Sequence, residues 1–169
     1  MRAHDILGEH LAILQSTIFG NQTPDYALLR SLSQGLLDDL KAVSSDPAPQ
    51  DELDTLIQIF KAIDVEISVT GTMPEDHSKG QLLVEIIREA VNNAVRHGFA
   101  TQIKVIIENM GSSTNLTVSD NGYPPLEIKE GGGVSSMRKK LEVYNGVLHV
   151  SVEPHFVLTV CLPGGDSND

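Results

Sequence analysis

Apolar residues follow a helical pattern in the first quarter of the chain. Between residues 4 and 18, leucine and isoleucine recur every three or four positions, which is the spacing of one helix face. Turn residues at 20–24 separate this series from a second one at 28–43. We therefore expect an antiparallel helical hairpin over residues 1–43, which would bury its apolar seam by pairing with a second copy in a four-helix bundle.

The pattern changes after residues 44–50, a polar stretch with two prolines that we predict to be a linker. Helical and alternating segments then follow one another without a regular repeat. Helices are predicted at 51–63, 78–97 and 134–144, and strands at 65–69, 102–109, 115–119, 147–152 and 157–162. This mixture predicts an α+β sandwich with helices on one face of a mixed sheet, forming a domain at 51–163 before a disordered tail at 164–169.

Charge and composition narrow the possible partners. The chain has 23 acidic and 12 basic residues, for a net charge of −11. Such a charge argues against nucleic acid or an anionic membrane as a direct partner, although a metal ion or backbone amides can still hold phosphate. The single cysteine, the absence of a signal peptide and the lack of any apolar run near 18 residues predict a cytoplasmic chain without a membrane segment.

The long helix at 78–97 has an unusual polar face. Glu89 and Asn93 are four residues apart and point the same way, with Arg96 and His97 one turn further along. A carboxylate and an amide offer the oxygen ligands that Mg²⁺ prefers, and the cationic end could meet phosphate. The alternative is a solvated helix face with ordinary ion pairing.

Two glycine-containing segments follow. In the first, a strand runs into Asp120 and Gly122, where a carboxylate could accept a hydrogen bond from an amine while the glycine admits a flat ring. The alternative is an ordinary turn. In the second, residues 131–133 are glycines that open a helix, where backbone amides and the helix dipole favour phosphate. The alternative is a loose hinge.

Taken in this order, the three segments resemble the ATP-binding domain of two-component sensor histidine kinases, which has the Bergerat fold of the GHKL ATPases. Residues 87–97 are similar to the N box of that family, 119–122 to its first glycine box and 131–138 to its second. Residues 157–163 are similar to its closing strand, including the Leu-Pro ending.

The resemblance implies roles for these residues. Asn93 would ligate Mg²⁺, and Glu89 would polarise the nucleophile or a metal-bound water. Asp120 would bind the adenine amine. The remaining residues implied in ATP binding are Asn92, Arg96, His97, Gly122, Gly131 and Gly133.

The hairpin resembles the same family. Residues 2–11 are similar to the phosphoacceptor motif of the subgroup that signals to helix-turn-helix response regulators. The resemblance implies that His4 attacks the γ-phosphoryl group of ATP while Asp5 accepts the imidazole proton. The alternative is that His4 is an ordinary histidine at the edge of the apolar seam.

Two departures from the family pattern concern the phosphate-binding segments and not the fold. Pro124 stands where a second glycine is usual, and residues 155–157 replace a Gly-Thr pair, although a Gram-positive branch of the family resembles this form. The leading hypothesis is a homodimeric histidine kinase that phosphorylates a response regulator. The alternatives are a non-catalytic dimeric regulatory module that responds to nucleotide, and an anti-sigma-type Ser/Thr kinase, against which the His4 motif argues.

Overall fold

The computed structural model describes residues 47–125 and 132–164. These residues form two compact units, which divide between Val65 and Glu66. Four parts of the sequence predictions lie outside the described residues: the hairpin at 1–43 with His4 and Asp5, residues 44–46 of the linker, the glycine Gly131, and the tail after Gly164.

The described part of the first unit is a single helix, α1 (Pro49–Lys61). It begins within the stretch predicted as linker, because a proline with its fixed φ suits the first turn of a helix. Its apolar residues Leu53, Leu56 and Phe60 are buried. The predicted domain boundary at residues 44–50 stays a prediction.

The second unit contains the sheet and two helices. Its elements are β1 (Glu66–Thr70), α2 (His77–Gly98), β2 (Gln102–Met110), β3 (Ser113–Asp120), α3 (Gly133–Glu142), β4 (Val147–Ser151) and β5 (Val157–Leu162). Each corresponds to a predicted element, and the ends differ from the predictions by at most two residues.

The five strands form one mixed sheet in the order β1-β2-β3-β5-β4. Strands β1 and β2 are parallel, and the other neighbours are antiparallel. Parallel neighbours need a crossover connection, and α2 supplies it. The predicted α+β fold with a mixed sheet is therefore confirmed.

One face of the sheet carries the core. Val105, Val118 and Leu158 are buried and lie side by side in the register of β2, β3 and β5. Helix α2 contacts β2 and β3, and α3 contacts β4, so both helices cover the apolar face. The opposite face carries polar side chains such as Ser68 and Lys104, which are exposed.

Helix α2 is capped at both ends. At its start, the Asp76 carboxylate accepts a hydrogen bond from the Lys79 backbone N–H at 3.1 Å. The Lys79 ammonium also donates to the carbonyl oxygen of Pro163, just beyond β5, at 2.9 Å. At its end, Phe99 adopts a left-handed conformation with φ of 54°. Among the described residues, no helix has the length and apolar character that crossing a membrane requires.

Candidate functional site

A stripe of polar side chains follows α2 at every fourth residue, at Glu85, Glu89 and Asn93. The Asn93 side-chain amide donates a hydrogen bond to Glu89 Oε1 at 3.2 Å, and both side chains are half-buried. This bond uses the NH₂ group of Asn93, so its carbonyl oxygen is the atom suited to a cation. The predicted pairing of Glu89 with Asn93 on one helix face is present.

The beginning of α3 lies directly against this stripe. A methyl group at Gly133 would overlap the Glu89 carboxylate and would lie 3.1 Å from Asn93 Nδ2. Only glycine fits at position 133 without displacing these side chains. The second glycine box and the N box are therefore neighbours in space, with the positive end of the α3 dipole close to Glu89 and Asn93.

The end of β3 forms the second part of the site. The Gly122 N–H donates to Asp120 Oδ1 at 2.8 Å, and the Tyr123 N–H donates to the Gly98 carbonyl at 2.8 Å. A Cβ on Gly122 would lie 2.6 Å from that same Gly98 oxygen, so the turn needs glycine here. These contacts attach the first glycine box to the last turn of α2, where Arg96 and His97 are exposed.

Asp120 has a raised pKa because burial disfavours the charged carboxylate. The Gly122 N–H and the charge of His155 act in the opposite direction and lower this pKa in part. His155 lies in the turn before β5, where the family usually has the Gly-Thr pair. The departure from the family pattern therefore places a titratable group near Asp120.

Sequence reasoning missed the structural role of Asn121. Its Oδ1 accepts hydrogen bonds from the backbone N–H groups of Thr101 and Gln102, at 3.0 and 2.9 Å. Its Nδ2 donates to Thr101 Oγ1 at 3.1 Å. These bonds fix the glycine-box turn to the start of β2. The signal was present, because asparagine in an Asp-Asn-Gly turn often bonds to nearby backbone.

A cavity of about 540 Å³ also reaches the end of β3. It is lined by Glu66, Ser68, Gln102, Ile103, Lys104, Ser119, Asp120, Asn121 and His155. Most of these side chains belong to the polar face of the sheet. Asp120 is different, because it is paired with buried Ile103 and therefore lies on the face that the helices cover. Neither Glu89 nor Asn93 lines it, so we do not assign this cavity to the chemistry of the α2 stripe.

The predicted site residues thus fall into two groups. Glu89, Asn93 and Gly133 form one, and Asp120 with Gly122 forms the other, near Arg96 and His97. Asn92 is half-buried on α2. Pro124 is exposed beyond Tyr123, and no described contact depends on a glycine there.

The oxygen atoms at Glu89 and Asn93 suit Mg²⁺, which is commonly held by one or two protein groups together with substrate phosphates. Within residues 47–125 and 132–164, no three His, Cys, Asp or Glu side chains gather as a metal site.

Residues 78–165 match a family model described as "Histidine kinase-, DNA gyrase B-, and HSP90-like ATPase". The chain belongs to this ATPase family. The match begins at the start of α2 and extends past β5, so it includes both groups of candidate residues.

A curated relative of the chain is a sensor histidine kinase. The chain is 31% identical over 179 residues to sensor histidine kinase DesK of Bacillus subtilis, a match that covers 95% of the chain and 48% of DesK. The chain thus spans about half the length of this curated relative.

Two solved structures share its fold. The blue-light activated histidine kinase of Erythrobacter litoralis EL346 superposes with a TM-score of 0.59 at 17% identity, covering 98% of this chain and 58% of that one. The ATP binding domain of PrrB from Mycobacterium tuberculosis gives 0.53 at 20% identity, covering 68% and 92%. The predicted resemblance to a sensor histidine kinase catalytic core is confirmed.

Proposed function

We propose that this chain is the catalytic core of a homodimeric, cytoplasmic sensor histidine kinase. It uses Mg·ATP to phosphorylate His4 and then passes the phosphoryl group to an aspartate of a helix-turn-helix response regulator. The observation that carries the proposal is the contact of Gly133 with Glu89 and Asn93, because it joins the N box to the second glycine box.

In this proposal the α2 stripe and α3 bind the phosphate end of ATP. The Asn93 carbonyl oxygen would hold Mg²⁺, which would supply positive charge against the phosphate oxygens, and the Glu89 carboxylate would polarise the nucleophile or a water at this site. The amides at the start of α3 face phosphate oxygens. The other proposed ATP contacts are Asn92, Gly131 and Gly133 at this end, and Arg96 and His97 on the last turn of α2, beside the first glycine box.

Asp120 and Gly122 receive the adenine ring. The Asp120 oxygen that does not accept from Gly122 N–H remains to accept a hydrogen bond from the exocyclic amine. Gly122 lets the ring approach the backbone. A nucleotide without that amine, such as GTP or ITP, should therefore bind more weakly than ATP.

The proposed transfer is a substitution at phosphorus. An imidazole nitrogen of His4 forms a bond to the γ-phosphorus, the bond from that phosphorus to the bridging oxygen breaks, and ADP leaves. Asp5 accepts the proton from the other imidazole nitrogen. The resulting phosphoramidate then gives its phosphoryl group to a carboxylate oxygen of the response regulator.

The test is incubation of the full chain with Mg²⁺ and γ-labelled ATP. We expect a label that is lost in acid and retained in alkali, that disappears in His4→Gln and Asn93→Ala, and that persists in the control His10→Gln. An acid-stable label would instead indicate a Ser/Thr kinase of the anti-sigma type. Absence of both label and calorimetric binding at millimolar Mg·ATP would indicate a non-catalytic regulatory module.

A further inference from the structure

The polar stripe of α2 continues one turn before Glu89. Glu85 lies four residues earlier on the same face, and its Oε2 is 2.7 Å from the ammonium nitrogen of Lys140 on α3. The two side chains are partly exposed, at 41% for Glu85 and 50% for Lys140. This ion pair is a second link between the two helices, away from the candidate site.

The two links define how α3 lies along α2. Gly133, at the start of α3, meets Glu89 and Asn93, whereas Lys140, two turns later, meets the earlier residue Glu85. The helices therefore run antiparallel, with one contact at the site and the other at the far end of α3.

Apart from its packing on β4, α3 has few buried side chains that would hold it in this register. Of its ten residues, only Met137 and Leu141 are buried. Two apolar side chains determine the distance of a helix from its neighbour more firmly than they determine its position along its own axis. At the same time Gly133 lies so close to Glu89 that an added Cβ would displace the Glu89 carboxylate, so a slide of α3 along its axis would change this contact.

We propose that Glu85 and Lys140 are positioning residues, which hold α3 in the register that keeps Gly133 against Glu89 and Asn93. The proposal deepens the proposed function, on which it rests for its nucleotide-binding consequence. Neither residue touches the nucleotide; the pair acts by fixing the place of the α3 amides that face the phosphates.

Charge reversal at Glu85 tests the proposal because positioning and long-range electrostatics predict opposite changes in the affinity for Mg·ATP. Glu85→Lys adds positive charge near an anionic ligand, so electrostatics alone would tighten Mg·ATP binding. Positioning predicts weaker binding, because Lys140 would be repelled.

We expect the affinity for Mg·ATP to fall about fivefold in Glu85→Lys and in Lys140→Glu, which is the upper range of the energy of an exposed ion pair. The double variant, in which the two charges are exchanged, should recover the affinity. Lys139→Glu, next to Lys140 with the same change of charge, is the matched control.

A second measurement needs no nucleotide. Hydrogen–deuterium exchange of the full chain should be faster across residues 133–142 in each single variant and normal in the double variant, with β5 unchanged. If hydrogen–deuterium exchange gives these results but the wild-type chain binds no Mg·ATP, the role of the ion pair in positioning α3 is supported and the proposed function is wrong. If Glu85→Lys binds as tightly as wild type or tighter, if the double variant stays defective, or if exchange in α3 is unaltered, the positioning proposal is wrong.

Discussion

The two ends of the candidate site are built in different ways. At the end with Glu89, Asn93 and Gly133, residues far apart in the sequence meet through close packing of α3 on α2. At the end with Asp120 and Gly122, neighbouring residues are joined by local hydrogen bonds, and the turn is attached to α2 at Gly98. The first end depends on tertiary placement and the second largely on a turn. A substitution that disturbs the packing of α3 on α2 should therefore lower both binding and stability, whereas a substitution at the Asp120 turn should separate the two.

The largest effect is expected at Asn93. Asn93→Ala removes the amide oxygen proposed to hold Mg²⁺, so we expect at least about a hundredfold loss of ATP turnover, a scale typical of losing one group that stabilises transition-state charge. The thermal midpoint should change little, because the side chain is only half-buried. Gln58→Ala, an amide removed from an exposed position of α1, is the control. Full turnover in Asn93→Ala would remove this residue from the site.

Gly133→Ala should damage binding and stability together. The added methyl group overlaps the Glu89 carboxylate, and because this is the movable end of a flexible side chain we expect a cost of about 1 kcal/mol of unfolding free energy or less, the low end for overpacking. Denaturation and nucleotide titration should both report the change, whereas Ser136→Ala, exposed on the same helix, should leave both near wild type. Adding Glu89→Ala should restore the stability but not the binding. A Gly133→Ala protein of normal stability would contradict the close contact.

Asp120→Asn should weaken binding without weakening the fold. The folded-state pKa of Asp120 is raised, so the folded protein holds this proton more tightly than the unfolded chain, and ionisation at neutral pH disfavours folding. Asparagine keeps an acceptor for Gly122 N–H but carries no charge. We therefore expect unchanged or higher unfolding free energy with at least about tenfold weaker ATP binding, about the value of a hydrogen bond to a charged group. Asp64→Asn controls for the loss of charge; lower stability in Asp120→Asn alone would contradict the expectation.

The smallest effect concerns pH. Ionised Asp120 accepts a stronger hydrogen bond from an amine than protonated Asp120 does, so wild-type affinity for ATP should fall on acidification at a pH above 3.8, the ordinary pKa of aspartate. His155→Gln removes a positive charge that lowers the Asp120 pKa, so the fall should move to still higher pH. Affinity measured across this range, with Asp120→Asn as the reference for titration of the nucleotide itself, checks the shift. A fall at the same pH in both proteins would exclude His155 from this effect.

Much of the fold was predictable because it follows from local periodicity. The stripe that contains Glu89 and Asn93 follows from helix geometry, and the strands from alternation of apolar residues. Their bounds were predicted to within two residues in the second unit. Helix α1 starts at Pro49, earlier than predicted, because proline suits a first helical turn as well as a linker.

What the sequence could not supply is contact between distant segments. Nothing local to Lys140 indicates that it meets Glu85, 55 residues earlier, and nothing local to Gly133 indicates the overlap with Glu89. The family resemblance predicted that both boxes belong to one site. The structure shows in addition how closely the second glycine box packs on the N box, and that His155 is near enough to Asp120 to affect its pKa.

The bond between Lys79 and the Pro163 carbonyl has a practical consequence for labelling. It holds the end of β5 at the beginning of α2, whereas Asn93 lies fourteen residues further along the helix. At about 1.5 Å per residue this separation is about 20 Å. A fluorophore attached just after Gly164 would therefore be clear of the nucleotide yet near enough for energy transfer to a fluorescent ATP analogue, giving a direct distance readout of binding.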